Sequence, residues 1–231
     1  MKIVCVNIER GLYSQYYHIL QILGDKSICV LCILEPKLNK HDYVPEFDSF
    51  KAFYLDKYKL IIYVKQNVGL TCMPIWQGMP CFVVVGNQLT MSFCYSEFTK
   101  VTLEGKKLLS KKERLSLIKE TYGEILRTSH NRHLAMGDFN FCNLKKENCT
   151  YVKQFLNFFK RNEFVNQVEG ITRFAKIEGQ EDSQLDYCWT RNLIGTAEKF
   201  LFSNSDHMGI CFEIPSNEKI RLNPKFRISY S

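Results

Sequence analysis

The sequence predicts an α/β sandwich: two mixed β-sheets packed face to face, with helices outside. Three observations lead there. Strand-like apolar runs outnumber helical ones, the helices come singly between groups of strands, and Ser27–Leu34 is a near-continuous apolar run of the kind that forms a strand covered on both faces. The chain has 231 residues, 45% hydrophobic and 24% charged. A chain of this length buries roughly 70–75% of its unfolded surface, which suits one large domain. The same composition excludes disordered and collagen-like classes.

Each element has its own signal. Lys2–Asn7 is apolar and β-branched. Tyr13–Leu23 carries apolar residues at helical spacing and runs into Gly24, the expected C-cap. After Ser27–Leu34, strands are predicted at Lys51–Tyr54, Lys59–Val64, Cys81–Val85 and Leu89–Tyr95, the last two forming a hairpin around Gly86-Asn87. Ser110–Arg127 reads as a helix, with Leu115, Ile118, Tyr122 and Ile125 on one side and Ser110 and Glu113 as a capping box. His133–Met136 is a short strand, Tyr151–Phe159 a helix, and Asp186–Thr190, Ala197–Phe202 and Met208–Ile214 complete the strands. The domain therefore spans 1–214. Residues 215–231, with Lys219, Arg221, Lys225, Arg227 and two prolines, read as a basic linker or tail.

Net charge is +7, which permits a polyanionic partner without requiring one. No apolar run approaches the roughly 18 residues of a membrane span, and MKIVCVNIERG turns polar too soon for a signal peptide. The expectation is a soluble intracellular protein, nuclear when acting on DNA. Most of the ten cysteines lie inside β-like apolar stretches, where free cysteine behaves as a small hydrophobe. Cys29 and Cys32 form a C-x-x-C, but their odd spacing in one strand predicts opposite faces, and no second ligand pair is near. Signatures of nucleotide-triphosphate hydrolysis, dinucleotide binding and serine-esterase chemistry are absent from the sequence.

What remains is a set of polar residues at strand ends. Asn7 follows KIVCV, Glu35 follows CVLCIL, Tyr95 follows LTMSFC, and Asp138 and Asn140 follow HLAMG; Asp186 lies in QLDYCWT, and Asp206-His207 precedes MGICFEI. Carboxylates gathered at strand ends cost free energy unless they are paired or bound to a cation. This oxygen-rich set suits a hard cation such as Mg²⁺, and does not suit zinc.

In order and context these segments resemble the endonuclease/exonuclease/phosphatase superfamily. The carriers are IVCVNIERG, CILEPK, SFCYSEF, the GDFN box at 137–140, SQLDY at 183–187 and SDH at 205–207, spread from Asn7 to His207. The resemblance implies a four-layered α/β sandwich and metal-assisted phosphodiester hydrolysis. It implies Glu35 as the principal Mg²⁺ ligand (Mn²⁺ being the alternative), with Asn7 and Asp206 either as supporting ligands or as groups that orient the ligands from behind. Asp138 would orient and deprotonate the attacking water, Asn140 and His207 would bond the phosphate oxygens, Asp186 would orient the His207 ring, and Tyr95 would touch the phosphate or leaving oxygen. Thr172, Arg173 and Ser183 are the expected substrate contacts.

ILEPKL, the short GDFNF box and the end of the domain soon after SDH most resemble the endonuclease domain of non-LTR retrotransposons. That branch implies nicking of double-stranded DNA to leave a 3′-hydroxyl, fusion to a reverse transcriptase, and no membrane partner. The rivals are a free-standing abasic-site repair endonuclease, a phosphodiesterase of lipid or small phosphoesters, and a dead binding module. VN replaces the repair enzymes' WN, and Leu34 stands where they carry Gln. The Lys-rich stretch Thr99–Arg114, with Arg173 and Lys176, supplies groups able to meet a phosphate backbone, and Phe174 is placed to stack on or wedge against a base.

Overall fold

The computed structural model describes residues 1–9, 11–38, 42–54, 59–75, 78–86, 88–102, 105–144, 150–202 and 205–216. The strands are β1 (Lys2–Asn7), β2 (Ile28–Leu34), β3 (Phe50–Tyr54), β4 (Leu60–Lys65), β5 (Thr71–Ile75), β6 (Cys81–Gly86) and β7 (Leu89–Tyr95) in the first half. They continue with β8 (Thr99–Thr102), β9 (Gly105–Leu108), β10 (Arg132–Asp138), β11 (Val165–Asn166), β12 (Asp186–Arg191), β13 (Thr196–Leu201) and β14 (Met208–Glu213). The helices are α1 (Tyr16–Gly24), α2 (Lys111–Thr128) and α3 (Thr150–Arg161), with a 3-10 turn at Tyr13–Gln15 leading into α1.

Two six-stranded mixed sheets carry the fold, ordered β13-β14-β1-β2-β4-β3 and β11-β12-β10-β7-β6-β5, with β8-β9 as a separate hairpin. Period-two alternation divides the apolar residues among three clusters. Ile3, Leu34, Ile62, Val84, Phe93, Met136 and Phe212 fill the space between the sheets. Val4, Leu31 and Tyr63 turn outward beneath Ile19 of α1. Tyr122 and Phe159, from α2 and α3, cover Phe139 and Trp189 on the other outer face. The predicted two-sheet sandwich with outer helices is therefore present as four layers.

The last cluster is strongly aromatic. Phe159 stacks on Trp189 at 4.7 Å between centroids and meets Tyr122 edge-on at 4.9 Å. Truncating such a ring to alanine costs about 3–5 kcal/mol, so α2 and α3 hold the second sheet rigidly. Helix α2 starts as the sequence predicts: the Glu113 amide donates to Ser110 Oγ, and the Ser110 amide donates to the Glu113 carboxylate at 2.8 Å.

Register brings the functional residues to one rim. Strands β1 and β2 are parallel with Asn7 opposite Leu34, so Glu35 follows at the same end. Strand β14 is antiparallel to β1, which starts it, just after His207, at that end. In the other sheet Asp138 pairs with Tyr95 on β7 and with Asp186 on β12. Gly137 makes this possible: at φ +147° a Cβ would lie 2.0 Å from the Cys94 carbonyl oxygen, so only glycine lets β10 close against β7 before Asp138.

Several expectations need correction. Gly24 is the last residue of α1, and extended Asp25 caps it. Cys29 packs against the same inter-sheet cluster as Cys32, because the β1–β2 register slips between Ile28 and Val30 and reverses the alternation there. Strands β5 and β11 and the β8–β9 hairpin have no counterpart in the sequence reading. Asn87 of the predicted hairpin turn, and all of the predicted tail except Pro215 and Ser216, lie outside the described residues. Among the described residues no helix is long and apolar enough to cross a membrane.

Candidate active site

A cleft of about 200 Å³ opens at that rim, lined by Glu9, Glu35, Tyr95, Phe98, Asp138, Asn140, Arg173, Leu185 and His207. At its centre the Asn7 amide nitrogen donates to Glu35 Oε1 at 2.9 Å and to Asp138 Oδ2 at 3.2 Å, joining the two sheets. The Glu9 amide donates to Asn7 Oδ1 at 3.2 Å. Asn7 thus ties the two carboxylates together through its amide nitrogen. Glu35 is held in the left-handed backbone region, at φ +50°. Such strain in a non-glycine residue persists only where the surrounding structure enforces it.

Asp138 Oδ1 accepts the Asn140 amide at 2.9 Å. Burial pushes the Asp138 carboxyl well above the usual carboxylate range; Asp186 and Glu35 push the same way, against His207 and the Asn140 amide. Asn140, also left-handed at φ +55°, donates from Nδ2 to the Ser96 carbonyl at 2.7 Å. Its own carbonyl accepts Arg114 Nη1 at 2.8 Å. The Tyr95 phenol is buried, and burial, then Glu35 and Asp138, raise its pKa, so it stays protonated as a donor.

His207 Nδ1 lies 2.8 Å from Asp186 Oδ2, both side chains being buried. Burial opposes protonation of the ring, but Asp186, Asp138 and Asp206 overcome it and raise its pKa to about 10. The charged imidazole therefore spends one N–H on Asp186 and keeps Nε2–H for a ligand. Asp138, Asp186 and His207 form the one group of three metal-capable side chains found within reach of each other among the described residues.

Asp206 sits among cations. Its Oδ2 accepts Arg173 Nε at 2.9 Å and its Oδ1 lies 3.2 Å from Lys176 Nζ, which also binds Glu9. Burial works against its ionisation, yet contacts with Glu9, His207 and Lys176 hold its carboxyl down at about 2. Asp206 therefore holds the basic side chains Arg173 and Lys176 at the cleft. Thr172 also departs from expectation: it is fully buried and its Oγ1 accepts the Leu185 and Asp186 amides at 2.9 and 3.0 Å, so it fixes the start of β12 and does not face a substrate. Ser183 is buried and pairs through its backbone with Arg173. Of the three expected substrate contacts, only Arg173 lines the cleft.

Sequence reasoning missed Glu9, Phe98 and Arg114. Arg114 closes the Lys-rich stretch expected to meet a phosphate backbone, yet it is buried beneath Asn140 and supports that residue from inside the fold. A large apolar ring beside the Tyr95 strand end was the available signal for Phe98.

The chemistry of the donor set fits a divalent cation. Glu35 offers a half-buried carboxylate, and no lysine or arginine among the described residues pairs with it. Asp138 crowds against it through their shared donor Asn7, the arrangement in which a bound cation stabilises both charges.

No protein-family model matches the sequence, and no curated protein matches it either. Solved structures do. A 3′ phosphatase, NExo, from Neisseria, bound to a product DNA hairpin, aligns with TM-score 0.67 and 12% identity, over 93% of this chain and 99% of that one. The endonuclease domain of TRAS1, a telomere-specific non-LTR retrotransposon, aligns with TM-score 0.64 and 17% identity, over 92% and 97% of the two chains. The inositol polyphosphate 5-phosphatase domain of a synaptojanin reaches TM-score 0.51 at 11% identity, covering 91% of this chain and 82% of that one. At such identities the likeness carries the fold alone. That fold is the four-layered sandwich of endonuclease/exonuclease/phosphatase proteins, as the sequence resemblance implies.

Proposed function

We propose that the protein is a divalent-metal-dependent phosphodiesterase acting on DNA, and that it nicks a duplex to leave a 3′-hydroxyl. The observation that carries this reading is the convergence at one cleft of the Asn7-bridged Glu35–Asp138 pair and the charged Asp186–His207 pair. Glu35 would hold the cation, which when bound supplies charge neutralisation at the scissile phosphate. Mg²⁺ suits its hard oxygen donors, with Mn²⁺ as a substitute.

The chain's own residues do the remainder. Asp138, in the carboxylate form that the charged His207 and the Asn140 amide favour, would take the proton of the attacking water, aimed by Asn7 and by the Asn140 amide. His207 donates from Nε2 to a phosphate oxygen, where negative charge grows during in-line attack, and Asp186 fixes the ring and its charge. As the P–O3′ bond breaks, Tyr95, which keeps its proton, would hydrogen-bond through its phenolic O–H to the phosphate or to the leaving 3′ oxygen, and that oxygen would take up a proton from solvent to become the 3′-hydroxyl. Arg173, anchored by Asp206, lines the cleft as a phosphate contact.

The finer reading is the target-nicking domain of a non-LTR retrotransposon protein, fused to a reverse transcriptase and acting in the nucleus. It draws on the ILEPKL and GDFNF segments and on the likeness to the TRAS1 domain. The likeness to NExo makes a DNA 3′-phosphate the second substrate to test. The deciding experiment incubates pure protein with supercoiled plasmid in Mg²⁺ and in chelator, beside an abasic duplex and a 3′-phosphate hairpin. Relaxed circles in Mg²⁺ alone, with 3′-hydroxyl ends at the nicks, are expected. Plasmid left supercoiled while the hairpin loses its phosphate would move the protein to end processing, and strong preference for the abasic duplex would move it to repair.

A further inference from the structure

Phe98 lines the cleft with Asp138, Asn140 and His207, yet has no place in the chemistry above. It is 45% exposed, so its ring is open to solvent at the cleft. What lies behind it is more informative. The Arg114 guanidinium stands 4.5 Å from the Phe98 centroid and 5.1 Å from that of Phe141, and Phe141 stacks on Phe155 at 4.9 Å with planes 10° apart. The last three of these four groups are buried. Phe98 is the solvent end of a rigid pile rooted in the aromatic core.

A guanidinium behind a ring draws electron density away from its outer surface, which favours an electron-rich π-system such as a nucleobase over another cation. A buried backing also holds the ring in place before a ligand arrives, so little ordering cost remains at binding. Arg114 ties the pile to the reaction centre, because the same side chain donates to the Asn140 carbonyl at 2.8 Å.

Resting on the nucleic-acid reading above, we propose that Phe98 is a stacking shelf for the base of the nucleotide next to the scissile phosphate. It would select base-bearing phosphodiesters over lipid or inositol phosphoesters. Because every base offers a π-face, the shelf adds affinity without reading sequence.

The test places 2-aminopurine beside the cleavage site of a duplex and titrates wild-type protein in chelator, following base fluorescence and, separately, the anisotropy of a distant label. Saturable quenching that Phe98→Leu removes and Phe98→Trp restores is expected, with anisotropy binding weakened about tenfold by the leucine. In Mg²⁺, Phe98→Leu should raise KM about tenfold with kcat within about twofold, and should make no difference on a duplex whose flanking nucleotide lacks its base. Anisotropy binding without quenching, or equal losses on the base-bearing and base-free duplexes, would overturn the shelf and leave the nuclease reading standing. Absence of any binding to nucleic acid would overturn both.

Discussion

His133 and His207 are both buried imidazoles, and they end in opposite charge states. His133 lies at the end of β10 away from the cleft, its Nε2 2.9 Å from Ser92 Oγ and its ring against Phe164 and Tyr122. Burial, aided by Arg191, pushes its pKa down to about 3. His207, at the cleft rim, is raised to about 10 because three aspartates outweigh the same burial penalty. Burial alone makes a histidine a neutral packing group; clustered carboxylates turn it into a fixed cation. One rim of the sandwich is built for packing, and the other to hold positive charge where a phosphate would sit.

The sharpest break of this comparison exchanges the two roles. His207→Ala should lower the nicking rate by about 10²–10⁴-fold without loss of the folded state by circular dichroism, while His133→Gln should leave the rate within about threefold of wild type. Equal losses in the two variants would show that the charge difference has no catalytic meaning.

A smaller effect comes from Asp186→Asn. Without that carboxylate the His207 pKa falls from about 10 toward its ordinary 6.5. The rate of the variant should therefore drop as pH rises through neutrality, where the wild type still carries the charged ring. A pH–rate profile of each protein checks this, and superimposable profiles would refute it.

Smallest is the effect on stability, where the two histidines act with opposite signs. The folded pKa of His133 lies below its unfolded value of 6.5, so the unfolded chain binds more protons between about pH 6.5 and 3, and stability is lost as pH falls through that window. The folded pKa of His207 lies above 6.5, so its contribution is complete below about pH 6.5 and is lost as pH rises toward 10. Denaturant titrations should show His133→Gln losing about 2 kcal/mol less than wild type between pH 7 and pH 5. An unchanged difference would mean that His133 is not held neutral.

The difference between the rims also explains what the sequence discloses. Polar residues that end apolar strands stand out because each interrupts a strong period-two pattern; thus Asn7, Glu35, Tyr95, Asp138 and His207 were visible, and five of the strands that carry them were placed to within two residues. Edge elements were not. Strand β5 contains Pro74, a residue that argues against a central strand but is tolerated at an edge, and β8–β9 (TKVT and GKKL) has too few apolar residues to show alternation. Tertiary partners were equally hidden. That Asn7 turns its amide nitrogen inward, that Asp206 is wrapped by Arg173 and Lys176, and that Arg114 lies under Asn140 all depend on packing between residues distant in sequence.

The most direct test of the central claim, that Glu35 and its neighbours hold a divalent cation for phosphodiester hydrolysis, is a Mg²⁺ titration of plasmid nicking by wild type and Glu35→Gln. The wild type should saturate, while the variant, folded and still able to bind DNA, should nick at most weakly at the highest Mg²⁺ concentration. Identical titration curves for the two proteins would contradict the assignment of Glu35 as the cation's holder.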